Sequence, residues 1–360
     1  VDLRRSAEQE QLVDAFTGLY RRNCSTERVR AAEPLGFDKA LWEQLHELGT
    51  TAMAVDPAHG GWGATVLDLA LVAEQHGRFV APAPVIEAQV AARLLAAAGP
   101  PGAPALAALL GGESLVTVAL HPAVAGRAGL VPAGAVADAA VVLVGDRLVL
   151  TPLEGSRQAV GNLGSMPLAD VEVVDLGAEG VGAEGVEGAV EGAVELAQGP
   201  RALALHDAAL DDWLVLTAAA LVGVGARGLE LGVEYVKERK AWGVPIGTFQ
   251  SVAHRLADSA TALDGSRLLA YEAAWAADED PDRAGELAAM AFAHAYESAR
   301  DATYRSLHFH GGYGFMMEYD VQLHYRRARA WATVYAEPAV VYRRVADKRY
   351  GRVVSGGGAG

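Results

Sequence analysis

The chain predicts a mostly α protein with a small β domain set between two helical ones, and three observations carry this. Apolar residues recur at helical spacing through the first 113 positions, a β-branched and alternating stretch follows to residue 176, and from residue 200 onward long runs pass almost without a helix breaker. The expected organisation is an N-terminal helical domain (1–113), a small antiparallel β domain (114–176), a Gly/Glu-rich linker (177–199), a C-terminal helical bundle (200–352) and a disordered tail (353–360).

In the first domain, Leu12, Val13, Phe16 and Tyr20 fall on one helical face. Asp38 stands where a cap belongs, before a helix carrying Leu41, Trp42, Leu45 and Leu48 that Gly49 ends. Gly60 and Gly61 make a loop ahead of a helix over 67–76. Pro82 and Pro84 break the chain, and an alanine-rich helix runs to Ala98. In the β domain, 114–120 is a short β-branched run, 139–144 and 147–150 flank the turn Gly145-Asp146 as a hairpin, and 170–174 alternates. So small a domain is close to the minimum for a core of its own and leans on its neighbours. The near-repeats of Gly, Ala, Val and Glu over 177–198 read as a solvated linker. Helices over 201–238, 248–277 and 285–308, with shorter ones after Gly314 and Pro338, make an antiparallel bundle. The apolar positions Phe249, Val252, Leu256 and Leu263, with Met290, Phe292 and Tyr296, form either the core of that bundle or a face for association.

Composition excludes several function classes. Lys plus Arg number 30 against 45 Asp plus Glu, a net charge of −15, which repels nucleic-acid phosphates. A single cysteine, Cys24, allows neither an intrachain disulfide nor a thiolate metal cluster. The N-terminal residues are polar, without a secretory apolar stretch, and no apolar run reaches the ~18 residues of a membrane span. A cytoplasmic setting is expected.

Two motifs are decoys. Gly223-Val-Gly225-Ala-Arg-Gly228 matches a dinucleotide fingerprint but sits inside a long helical run, where small residues let another helix approach. His308, His310 and His324 cluster near a glycine loop without the spacing of a metal site, so no metal is expected.

Two segments carry more. Residues 238–250 put Arg239, Lys240, Trp242 and Gln250 at a junction between long helices, where a helix start favours an anion. Residues 308–315 place three glycines in four positions, letting backbone pass close to a ligand.

Together these segments resemble the acyl-CoA dehydrogenase family. Arg239, Trp242, Gly243, Ile246 and Gln250 fit its R-x-x-F-G-x-x-I-x-x-x-Q stretch, with Trp for the aromatic, and Gly311, Gly312, Gly314 and Phe315 fit its G-G-x-G-F loop. Residues 41–49, the Gly60-Gly61 loop, 68–78 and Pro82-Ala-Pro84 look like its first-domain helices. The resemblance implies FAD-dependent α,β-dehydrogenation of an acyl-CoA thioester by a tetramer. In it Arg239, Gln250, Gly311 and Gly312 hold the ADP half of a flavin, and Trp242, Ile246, Phe249 and His308 line the same crevice.

The sequence departs from the family twice. Where the family carries its catalytic glutamate, Tyr335 stands, or Ala336 with a one-residue shift, and Glu337 comes one or two positions late before Pro338. The family's other base position falls on Trp213, just after Asp211 and Asp212. The stretch that contacts the isoalloxazine is also shortened, over 117–130. The chain therefore resembles the non-catalytic subunit of an actinobacterial α2β2 acyl-CoA dehydrogenase acting on a steroid side-chain CoA ester, lending its half-site to a catalytic partner. The alternatives are a self-sufficient homotetramer using Glu337, and a flavin-free scaffold or lyase on the same fold.

Overall fold

The computed structural model describes residues 4–173 and 192–351. The Gly-rich tail and most of the expected linker lie outside them.

The N-terminal helices are α1 (Ala7–Asn23), α2 (Thr26–Ala32), α3 (Lys39–Glu47), α4 (Thr50–Met53), α5 (Val66–Arg78), α6 (Val85–Ala98) and α7 (Ala103–Gly111). Their starts are written locally. Asp38 accepts from Leu41 N to cap α3, and Ser6 and Thr65 open α1 and α5 with reciprocal capping boxes to Gln9 and Asp68. Helices α2, α4 and α7 are too short for periodicity to reveal.

Seven strands follow: β1 (Val116–Val118), β2 (Arg127–Val131), β3 (Ala139–Val144), β4 (Arg147–Pro152), β5 (Arg157–Ala159), β6 (Ala169–Glu172) and β7 (Val194–Gln198). They form two sheets, in orders β1-β3-β4-β7 and β2-β6-β5. The hairpin at Gly145-Asp146 is present, with Val144 opposite Arg147. Two expectations are corrected. The domain is not wholly antiparallel: the chain leaves β1, adds β2 to the other sheet and returns as β3, so β3 runs parallel to β1. The segment expected to be linker ends in a strand, β7, which pairs with β4 and buries Leu196. Glycine and glutamate bias upstream hides its short alternation.

The C-terminal elements are α8 (Pro200–Glu238), the ribbon β8 (Lys240–Ala241) and β9 (Val244–Pro245), α9 (Gln250–Glu279), α10 (Pro281–Phe309), α11 (Val321–Thr333) and α12 (Pro338–Tyr350). Helix α8 is the central member. It is long and apolar enough to cross a membrane, contrary to the expectation that no run is, but 72% of that stretch is buried inside the protein. Leu263, Phe292 and Tyr296 are buried within the bundle, so they are core and not an association face.

The decoy glycines explain how α8 is packed. A Cβ on Gly223 would stand 1.9 Å from the Glu74 carbonyl oxygen, and one on Gly77 1.8 Å from that of Ala220, so α5 and α8 meet backbone to backbone. On the other side, Gly225, Gly228 and Gly232 face Ala299, Thr303 and Ser306 of α10. The crossing is locked by Glu74, buried, which accepts from Tyr271 Oη at 2.6 Å and Arg267 Nε at 3.0 Å on α9. Helix α2 is tied to α11 by Arg30–Asp320 and by Glu33, which meets both Arg326 and Arg327.

Gly223→Ala is expected to cost about 3 kcal/mol, because backbone cannot yield to a methyl group there. Gly161→Ala, whose Cβ meets nothing within 4 Å, should stay within about 0.5 kcal/mol of the parent. Urea unfolding of the two variants checks the contrast.

Candidate functional site

The junction between α8 and α9 builds an open groove of about 710 Å³. Trp242 and Gly243 turn the β8–β9 ribbon with φ of +52° and +84°, the left-handed pair that tight hairpins use. Glycine adopts that backbone freely, whereas tryptophan does so at a cost. The result is an indole 90% exposed, held edge-on to Phe249 at 5.7 Å. Ile246, Phe249 and Val252 supply one wall, and Tyr304, His308 and Phe309 of α10 the other.

Two guanidiniums enter this groove without a counter-ion. Arg305 donates to the Arg255 carbonyl at 3.3 Å and to Ser259 Oγ at 3.0 Å, and among the described residues neither Arg305 nor Arg255 meets a carboxylate. The groove's own carboxylate, Asp301, is taken by Arg300 Nε and Nη2. Helix α9, 30 residues long, opens here without a side-chain cap, so its N–H groups and dipole add positive character. Unpaired cations, a projecting indole and apolar walls suit a flat aromatic ligand bearing a diphosphate. FAD fits that description.

Of the residues predicted for this crevice, Trp242, Ile246, Phe249 and His308 line the groove. Arg239, Gln250, Gly311 and Gly312 do not. Arg239 ends α8, its carbonyl accepting from Ile246 N at 2.8 Å. Gln250 opens α9, and both glycines begin the turn after α10, all exposed. Sequence reasoning missed Arg255, Arg305 and Tyr304, which lie on helix surfaces some fifty residues apart with no motif joining them. The remaining histidines serve packing: His310 stacks on Tyr235 at 4.0 Å, and His324, pushed down to about 4 by burial, faces the backbone oxygens of Asp320 and Arg78.

Residues 6–102 match the acyl-CoA dehydrogenase N-terminal domain and residues 208–335 its C-terminal domain. The acyl-CoA dehydrogenase FadE27 of Mycobacterium tuberculosis is 30% identical over 85% of this chain and 87% of its own length. This chain belongs to the acyl-CoA dehydrogenase family. IpdE2 of M. tuberculosis, another acyl-CoA dehydrogenase, is 27% identical over 94% of this chain and 96% of its own. The ChsE4–ChsE5 complex from M. tuberculosis superposes with a TM-score of 0.83 at 26% identity, covering 97% of this chain and 98% of the compared one.

Tyr335 and Trp213, which the resemblance sets at the family's two base positions, are brought together. Tyr335 packs against Trp213 at 6.4 Å, and Phe292 closes on both rings at 6.0 and 5.7 Å. His121, from the shortened β-domain stretch, stacks on Tyr335 at 5.4 Å, and its Nε2 meets the Tyr335 carbonyl at 2.8 Å. Glu337 is exposed at the start of α12 and lines none of the cavities described here. Asp211 is committed: with Asp207 it meets Arg344 and Lys348 at 2.5 to 2.8 Å, a two-by-two charge cluster clamping α12 to α8. Asp212 is half-buried and held by Arg93 Nε at 2.7 Å.

Beyond Trp213 lies a second, smaller cavity of about 60 Å³, under the 80–84 turn and the 165–167 loop. Its polar wall is His76, Glu87, Trp213, Thr217 and Arg327. His76 Nδ1 meets Tyr20 Oη at 3.2 Å, and burial pushes the imidazole down to about 4, so it is neutral.

The clamp gives a pH dependence. Burial pushes the Asp207 carboxyl up, but Lys348 and Arg344 outweigh it and hold the group below the ordinary carboxylate range. A carboxyl more acidic folded than unfolded stabilises fully above the unfolded value of about 3.9, and that contribution is lost as pH falls through the folded value. Acid unfolding should therefore be less steep below about pH 4 in Asp207→Asn than in the parent.

Proposed function

We propose that this chain is a subunit of a heteromeric FAD-dependent acyl-CoA dehydrogenase and that its α8–α9 groove holds the ADP half of a flavin whose ring and base belong to a catalytic partner subunit. The observation that carries this is the pairing of two uncompensated guanidiniums and a projecting indole in one groove with aromatic residues at both base positions. FAD supplies the redox chemistry, taking up hydride as an acyl-CoA thioester loses its α-proton to a base. This chain's part is binding. Arg255 and Arg305 offset the diphosphate charge, Ser251 and the α9 N–H groups donate to it, and Trp242 and Phe249 offer faces to an aromatic ring. Phe315, Met316 and Met317, exposed by 68, 43 and 56%, give a partner an apolar surface after the glycine turn. The likeness to the two-component ChsE4–ChsE5 complex supports a partner of the same fold. An α2β2 assembly, a steroid side-chain CoA ester as substrate and a cytoplasmic location belong to the same reading.

Flavin content of the chain alone and co-expressed with its genomic neighbour tests the assignment. About one FAD per two chains in the pair, and none bound by the chain alone, is the expected result. Arg255→Ala and Arg305→Ala should each weaken FAD binding by roughly 10- to 100-fold, the range for a hydrogen bond to a charged group. Unchanged FAD affinity in the double variant refutes the groove. A chain that dehydrogenates an acyl-CoA unaided, and loses this in Glu337→Gln, establishes the homotetramer instead.

A further inference from the structure

Helix α9 turns a regular stripe toward the bundle: Leu256, Ser259, Leu263, Ser266 and Ala270 recur at intervals of three and four, and all are buried. Ser259 stands between two leucines in that stripe and is 1% exposed. Its proton is spent within the helix, on the Arg255 carbonyl at 3.0 Å, the back-bond that mid-helix serines make. What the hydroxyl has left is an acceptor, and Arg305 of α10 uses it. Arg305 Nη1 donates to Ser259 Oγ at 3.0 Å and to the Arg255 carbonyl at 3.3 Å. A hydroxyl that already donates accepts more strongly. One amino group of the guanidinium is thereby fixed across the α9–α10 contact. Its Nε and Nη2 have no protein partner among the described residues, and Arg305 lines the groove.

Helix geometry alone sends Arg305 elsewhere. Asp301 precedes it by four positions on α10, the spacing and order at which a carboxylate and a guanidinium pair on a helix surface. Asp301 instead takes Arg300, whose Nε at 3.0 Å and Nη2 at 2.9 Å both end on Oδ1. Asp301 and Arg305 line the same groove without pairing. Two contacts thus decide the charge that the groove presents. Arg300 occupies the competing carboxylate, and Ser259 holds Arg305 on the α9 side.

We propose that Ser259 is a positioning residue for the diphosphate: it is not part of the groove wall, but it keeps Arg305 from pairing with Asp301 and leaves Nε and Nη2 free for the ligand. This rests on the reading of the groove as the ADP half-site. Fixing a long side chain before the ligand arrives removes part of the ordering cost of binding, a factor of about two to ten in affinity for one arginine.

Calorimetric titration of ADP into the full chain, with its partner where the two co-purify, tests the role. Ser259→Ala should weaken ADP by about two- to tenfold. In the Arg305→Ala background the same substitution should cost nothing further, because the serine acts only through Arg305; a general loosening of the α9–α10 packing would cost the same in both backgrounds. Asp301→Asn should improve binding more in Ser259→Ala than in the parent, because it removes the carboxylate to which Arg305 is released. A loss in Arg305→Ala with none in Ser259→Ala, equal losses from Ser259→Ala in both backgrounds, or equal gains from Asp301→Asn overturn the positioning role and leave the half-site standing. ADP affinity untouched by Arg305→Ala overturns the half-site, and this role with it.

Discussion

The contact on which the rest of the structure depends is the backbone-to-backbone crossing of α5 and α8 at Gly77 and Gly223. Burying a helix of 39 residues on several sides requires neighbours at close range, and a single methyl group at either glycine would collide with a carbonyl oxygen. Because α8 is fixed there, its middle delivers Trp213 and Thr217 to the smaller cavity, and its end delivers the Trp242 turn to the groove. Packing and function thus share one rod. The glycine pattern that imitates a nucleotide fingerprint is the device that seats it.

Charge balance separates structure from site. Where the protein uses ions to hold itself together, they are matched: Arg344 and Lys348 against Asp207 and Asp211, Arg93 against Asp212, Arg78 bidentate to Glu230. In a chain with net charge −15, carboxylates are plentiful. Among the described residues, Arg255 and Arg305 nonetheless meet no carboxylate, both in an open groove. An exposed arginine is screened by water at little cost, so the groove pair speaks through its company of indole, hydroxyl and helix start.

The aromatic cluster around Tyr335 and Trp213 is held by packing. A buried glutamate there would need desolvation, whereas Tyr335, Trp213, Phe292 and His121 gain dispersion and ring contacts among themselves. The cluster lies just after α11 and inside α8, away from the glycine crossing.

The longer helices, the Asp38 cap and the Gly145-Asp146 hairpin were legible in the amino-acid sequence because they depend on residues a few positions apart, whereas α2, α4 and α7 were too short to show. Asp38 reaches Leu41. The family resemblance was legible for the same reason, since its motifs are contiguous. Strand β7 was not, because a five-residue strand is identified by its partner β4, some 45 residues earlier, and not by its own glycine-biased context. The parallel pairing of β1 with β3 likewise follows from the path through the second sheet. The site divides along this line. Trp242 and Ile246 were found through a motif, and Phe249 and His308 through the family resemblance, while Arg255 and Arg305 were not. A charge has meaning only once its neighbours are known. Local spacing sets which elements form; only the tertiary structure decides which charges are left without a partner.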